Sequence, residues 1–171
     1  MKCLFFVLAF TLSAATATAQ TLTKLSDAHF GTIEFASNPL SGNIVMHGTG
    51  VITYPANASG SGVGTAGAVR MNGTSGTNAS IRCKKNVILQ LARNNKFNLD
   101  VRLSVATAQT FANSTACNGL NKAILTRTLN GTTADTIYAA ITIPTSGANV
   151  THGNYSTVNS GKPMVIRVIF N

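Results

Sequence analysis

The sequence predicts an all-β protein, an antiparallel sandwich of short strands, and three observations carry that prediction. The first is composition: the 171 residues are rich in Thr, Ser, Asn, Gly, Ala, Val and Ile, with only four Asp and Glu. Helical bundles and coiled coils draw on Glu, Lys, Leu and Arg, so a chain this poor in carboxylates belongs to neither. The second is a hydrophobic period of two, the signature of strands with one face on a core. The third is a series of turn dipeptides at strand-sized intervals with no sustained helical period between them. At 44% hydrophobic the chain is not a disordered tail, and its length suits one domain with a core of its own.

The chain opens on an address. Lys2 is a positive n-region, Leu4 to Phe10 a short apolar run, and Ala17-Thr18-Ala19 an A-x-A cleavage site. Met1–Ala19 therefore reads as a cleaved secretory signal, leaving a single domain over 20–171. Cys3 precedes the apolar run, so it is not placed as a lipoprotein cysteine. No later run is long and apolar enough to span a bilayer. The expected location is secreted: periplasm, cell surface or outside the cell.

Three strands stand out in the mature chain. Leu99, Val101, Leu103 and Val105 alternate with polar residues; Ile137, Ala139, Ile141 and Ile143 do the same, as do Met164, Ile166, Val168 and Phe170. Weaker strands are expected over Phe30–Phe35, Ile44–His47, Val51–Tyr54, Ala68–Met71, Ala79–Cys83, Val87–Leu91 and Ala123–Leu129. The turns between them include Asn38-Pro39, Ser41-Gly42, Asn72-Gly73, Asn118-Gly119, Asn130-Gly131 and Ser160-Gly161. The tract Asn57–Gly67, rich in Gly, Ser and Ala, reads as a flexible loop. The apolar face of Met164, Ile166, Val168 and Phe170 is expected to be buried, in this chain's own sandwich or against a partner's strand.

Loss of the leader leaves two cysteines, Cys83 and Cys117. In an oxidising compartment two thiols most simply form one disulfide. A zinc site is not expected, because two Cys and three scattered His show no metal-ligand spacing. Gly62, Gly64 and Gly67 match the dinucleotide G-x-G-x-x-G by letter, but Ala68–Met71 reads as a strand where that motif needs a helix N-terminus. His29, His47 and His152 with Asp27, Asp100 and Asp135 could furnish a triad, yet no G-x-S-x-G elbow accompanies them. The mature chain holds four carboxylates in all, Asp27, Glu34, Asp100 and Asp135, a thin supply for a glycosidase pair. No catalytic residue, cofactor or metal is expected. Sequons occur at Asn57, Asn72, Asn78, Asn113, Asn130, Asn149 and Asn154, as a chain full of Asn, Ser and Thr produces by chance.

The charge balance, thirteen Lys and Arg against four acids, is uneven along the chain. Arg82, Lys84, Lys85, Arg93, Lys96 and Arg102 share a stretch whose one acid is Asp100. Arg82, Lys84, Lys85 and Arg93 are the candidate anion patch. Without Trp, and with Phe97 as the one aromatic there, the stretch lacks a stacking platform, so no specific nucleic acid is expected. A solvated strand face with edge-protecting lysines is the plainer reading.

Short blocks carry a family resemblance. Phe30-Gly31-Thr32-Ile33 follows a short leading strand; Ala68–Arg82 resembles A-F-x-V-x-G-x-x-G-x-x-Y-x-I; and Gly153-Asn154-Tyr155-Ser156 with Met164–Asn171 is similar to G-x-Y-x-G…V-x-V-x-Y-N. In this order the blocks resemble the exported bacterial family called domain of unknown function 4402. That resemblance implies an immunoglobulin-like, pilin-like sandwich in the envelope or outside the cell, and transfers no catalytic residues. A looser similarity is to chaperone–usher fimbrial subunits, whose last strand alternates apolar residues and ends on a penultimate aromatic, as Met164, Ile166, Val168 and Phe170 do here. Such subunits are unfinished sandwiches completed by β-augmentation. The function expected is a secreted or surface structural or adhesive protein, fimbrial-subunit-like, with other copies of itself or a periplasmic chaperone as partners. The alternative is a monomeric binding module for anionic glycan or lipid surfaces. A small extracellular hydrolase ranks third.

Overall fold

The computed structural model describes residues 20–61, 64–91, 95–151 and 161–171. The leader expected over 1–19, and with it Arg93, His152 and Gly153–Ser156, lies outside the described residues. Thirteen strands are present and no helix among the described residues: β1 (Thr21–Ser26), β2 (Thr32–Phe35), β3 (Ile44–Met46), β4 (Ile52–Thr53), β5 (Ala58–Ser61), β6 (Ala68–Asn72), β7 (Asn78–Cys83), β8 (Val87–Leu91), β9 (Asn95–Val105), β10 (Thr115–Ala116), β11 (Leu125–Thr128), β12 (Asp135–Ile143) and β13 (Ile166–Phe170). All their pairings are antiparallel.

β12 organises the larger sheet. One edge pairs with β9 over Ile137–Thr142, and β9 in turn pairs with β8 and β10. The other edge is shared: Asp135–Tyr138 pairs with β6, which carries β1 outside it, and Ile141–Ile143 pairs with β3, which carries β4. The Ala139 N–H fills the point between those two partners by donating to the Gly67 carbonyl at 2.8 Å. A strand hydrogen-bonded on both edges leaves its main chain no exposed polar groups, which is what burial requires of it.

A second sheet has the order β11-β7-β13, and a third pairs β2 with β5. Ala79, Ile81 and Cys83 of β7 are fully buried and join one core with Met46, Met71, Leu103 and Ile137 of the larger sheet. Sheets with one apolar face each bury those faces against one another. A disulfide ties the two layers: Cys83 ends β7, while Cys117 follows β10 and donates its N–H to Val101 of β9. The expected cysteine pair is thus a cross-layer staple.

The tract over Asn57–Gly67 is a correction to the sequence reading. It contains β5, which pairs with β2, and Thr65 exchanges two 2.8 Å bonds with His29. The ordering comes from backbone pairing and side-chain clamps, which an Ala-Ser-Gly composition does not advertise. Asn57 accepts from both the N–H and hydroxyl of Ser41 and donates to the carbonyls of Ser37 and Pro39. At Gly60 a Cβ would run into the Tyr54 hydroxyl.

Candidate functional site: an open edge beside an apolar groove

Among the described residues β13 is an edge strand, and its hydrogen-bond register determines what the edge displays. Asn78 and Asn171 exchange both main-chain bonds, and Lys84 donates to Val165. Antiparallel pairs alternate between bonded and non-bonded. By the register, Arg167↔Arg82 and Ile169↔Ser80 are therefore bonded pairs, and Ile166, Val168 and Phe170 point their N–H and C=O groups away from β7. Among the described residues these three donors and three acceptors have no main-chain partner, and such a row is a template for another strand.

The side chains of those same three residues turn inward. Ile166, Val168 and Phe170 pack on the core yet remain half-buried, as does Met164 ahead of them. The sequence leads one to expect a buried face; the structure closes it only partway, because among the described residues β13 has β7 as its one neighbour.

Just ahead of β13, at Pro163 and Met164, lies a groove of about 880 Å³. Its floor is apolar, with Ile44 of β3, Leu89 of β8, Phe97 and Leu99 of β9, and Ile141 and Ile143 of β12. Its walls come from Ala28–Ile33, including β2, and from Pro163 and Met164, which lead into β13. At one end the walls meet over Gly67, where a Cβ would stand 3.3 Å from Met164 Cε and 3.5 Å from Ala28 Cβ. The rim carries an exposed ion pair, Lys24 with Asp27 at 2.9 Å. Chemically, the groove and the edge together offer main-chain hydrogen bonds and apolar pockets for alternate side chains, the two components of strand addition.

The basic residues of the sequence reading are divided. Arg82 lies on β7 with Lys84 and Lys85 just beyond it, whereas Arg102 lies on β9, 3.6 Å from Asp100 and with its guanidinium 4.4 Å above the Phe111 ring. Arg93 falls outside the described residues. Arg167, absent from the sequence patch, stands directly opposite Arg82. Arg127 is held 2.9 Å from Asp135, which raises its pKa through the hydrogen bond and the charge.

Among the described residues, the His and Asp side chains weighed for a triad have structural partners. His47 Nδ1 accepts from the Phe111 N–H at 2.9 Å, which leaves Nε2 as the protonated nitrogen, facing the Thr53 hydroxyl at 3.2 Å. His29 Nδ1 accepts from the Gly31 N–H. Of the glycine triplet, Gly64 lies beneath Ile52 and Gly67 beneath Met164 and Ala28, and the segment runs straight into β6. Gly64 and Gly67 serve close packing, and Gly62 lies outside the described residues. Among the described residues no three His, Cys, Asp or Glu side chains are grouped to hold a metal ion.

The disulfide itself is the mark of an oxidising compartment. Among the described residues no helix is long and apolar enough to cross a membrane. Comparison of the chain with protein-family models, curated proteins and solved structures finds no match.

Proposed function

We propose that the protein is an exported structural subunit, a pilin-like immunoglobulin sandwich that assembles with other copies of itself by adding a strand at β13. The observation that carries this reading is the pairing of two deficits at one place. Among the described residues the main-chain groups of Ile166, Val168 and Phe170 on the edge away from β7 have no partner and their side chains are half-covered, and an 880 Å³ groove with an apolar floor is lined by Pro163 and Met164 just ahead of them. One added strand would satisfy both. The short blocks similar to domain of unknown function 4402, and the fimbrial look of the last strand, point the same way.

A second copy is the occupant because the chain carries a segment suited to exchange. β1 is extended, exposed over five of its six residues, and bonded along one edge to β6. It holds Leu22 and Leu25, two of the three exposed large hydrophobics among the described residues. Laid along a neighbour's β13, β1 would turn one of these leucines toward that copy's apolar groove.

Val168→Pro tests this without breaking the fold. Its N–H faces away from β7, so proline there removes a donor from the free edge and none from the β7 ladder. Wild-type protein at rising concentration should form linear oligomers in sedimentation velocity and negative stain, and Val168→Pro should remain monomeric. A wild type that is monomeric throughout, or a variant that assembles equally well, overturns the proposal.

A further inference from the structure

The outer face of the β11-β7-β13 sheet carries a charge arrangement that strand addition does not use. In a bonded antiparallel pair the two side chains stand on the same side of the sheet, so Arg82 and Arg167 project together from the face opposite the core. Lys84 follows two residues later on that side, opposite Val165. Like charges directly across a sheet destabilise it. No carboxylate compensates: among the described residues the ion pairs are Lys24–Asp27, Arg102–Asp100 and Arg127–Asp135, and the fourth acid, Glu34, lies on β2 opposite Ser59.

Arg82 is also held in place. Its Nη1 donates to the Leu120 carbonyl at 3.3 Å, and its Nε is shielded from water with no hydrogen-bond partner. A guanidinium that is fixed, partly dehydrated and uncompensated is a preorganised counter-charge for an oxyanion, which it meets through a planar fork of donors.

The neighbours decide what carries the anion. Around the charges on this face are Asn78, Ser80, Thr128 and Asn171, already linked as Thr128 to Asn78 and Asn171 to Ser80. These are hydroxyl and amide groups, the partners sugar hydroxyls take, and Ile169 is the one large apolar side chain of β13 on this side. Nothing there would enter a bilayer. We infer that Arg82, Arg167 and Lys84 form a binding site for the sulfate, phosphate or carboxylate groups of an anionic polysaccharide.

Heparin is a suitable probe for the full mature chain. Arg82→Gln and Arg167→Gln should each weaken heparin binding about tenfold, the loss of a charge-assisted contact. Each should also lower the slope of log affinity against log salt by about one. Arg70→Gln and Lys96→Gln remove the same charge elsewhere and should change affinity less than about twofold. Arg167 is exposed, so its variant should fold; without heparin its melting temperature should equal or exceed wild type, since a repulsion is relieved, and heparin should stabilise it less. Equal losses at all four positions would overturn the site in favour of net charge alone. Binding to anionic phospholipid vesicles in preference to heparin would overturn the glycan assignment. Val168→Pro should bind heparin normally whatever its effect on assembly, so this site and strand addition stand or fall separately.

Discussion

β12 and β13 look alike in the sequence and differ in the structure. Each sets four apolar residues at alternate positions: Ile137, Ala139, Ile141 and Ile143 in one, Met164, Ile166, Val168 and Phe170 leading into and through the other. In β12 all four are buried, at 4% exposure or less, and both edges are bonded. In β13 all four are half-buried, and among the described residues one edge is bonded. The period of two reports which face is apolar. It does not report whether a neighbour exists to cover that face, because coverage depends on strands far away in sequence.

The largest expected difference is energetic. Ile137→Ala should cost about 4 kcal/mol, within the range for a fully buried isoleucine that leaves a cavity, while Ile166→Ala should cost about half that, since its site is already partly hydrated. Urea unfolding of the two variants measures both; equal costs would mean that β13 is as enclosed as β12. Next comes the staple between layers. Cys83→Ala with Cys117→Ala should lose about 3–4 kcal/mol, the closure entropy of a loop spanning a separation of 34 residues. The loss should appear as a lower melting temperature that reductant no longer shifts.

The smallest effect falls near the two-stranded sheet. Burial raises the pKa of Tyr54 above its ordinary 10.0, because the phenolate would lose hydration. The unfolded chain then releases this proton at lower pH than the folded one. The contribution is whole below pH 10 and declines as pH rises through the raised value. Stability measured between pH 9 and 11 should fall less in Tyr54→Phe than in wild type. An identical decline would remove Tyr54 from the account.

The strand content was legible because alternation and turn dipeptides are local signals: Val87–Leu91 has the bounds the sequence suggests, and β12 and β9 need only longer ends. β5 was hidden, since Ala-Ser-Gly carries no period and its order comes from main-chain bonds to β2. The cysteine pair could be read by counting. Arg167 could not be grouped with Arg82 from the sequence, because 85 positions separate them and only the register of β7 against β13 brings them opposite. The groove was likewise illegible, being the space that six strands and three connecting segments leave uncovered.

Amide hydrogen exchange along β13, followed residue by residue by NMR on the monomer, tests the open edge most directly. Protection should alternate. The N–H groups of Arg167, Ile169 and Asn171, bonded to β7, should exchange slowly, and those of Ile166, Val168 and Phe170 fast, whereas Ile137–Thr142 of β12 should be slow throughout. If Ile166, Val168 and Phe170 exchange as slowly as their neighbours, the edge is already covered within the monomer, and assembly by strand addition at β13 is contradicted.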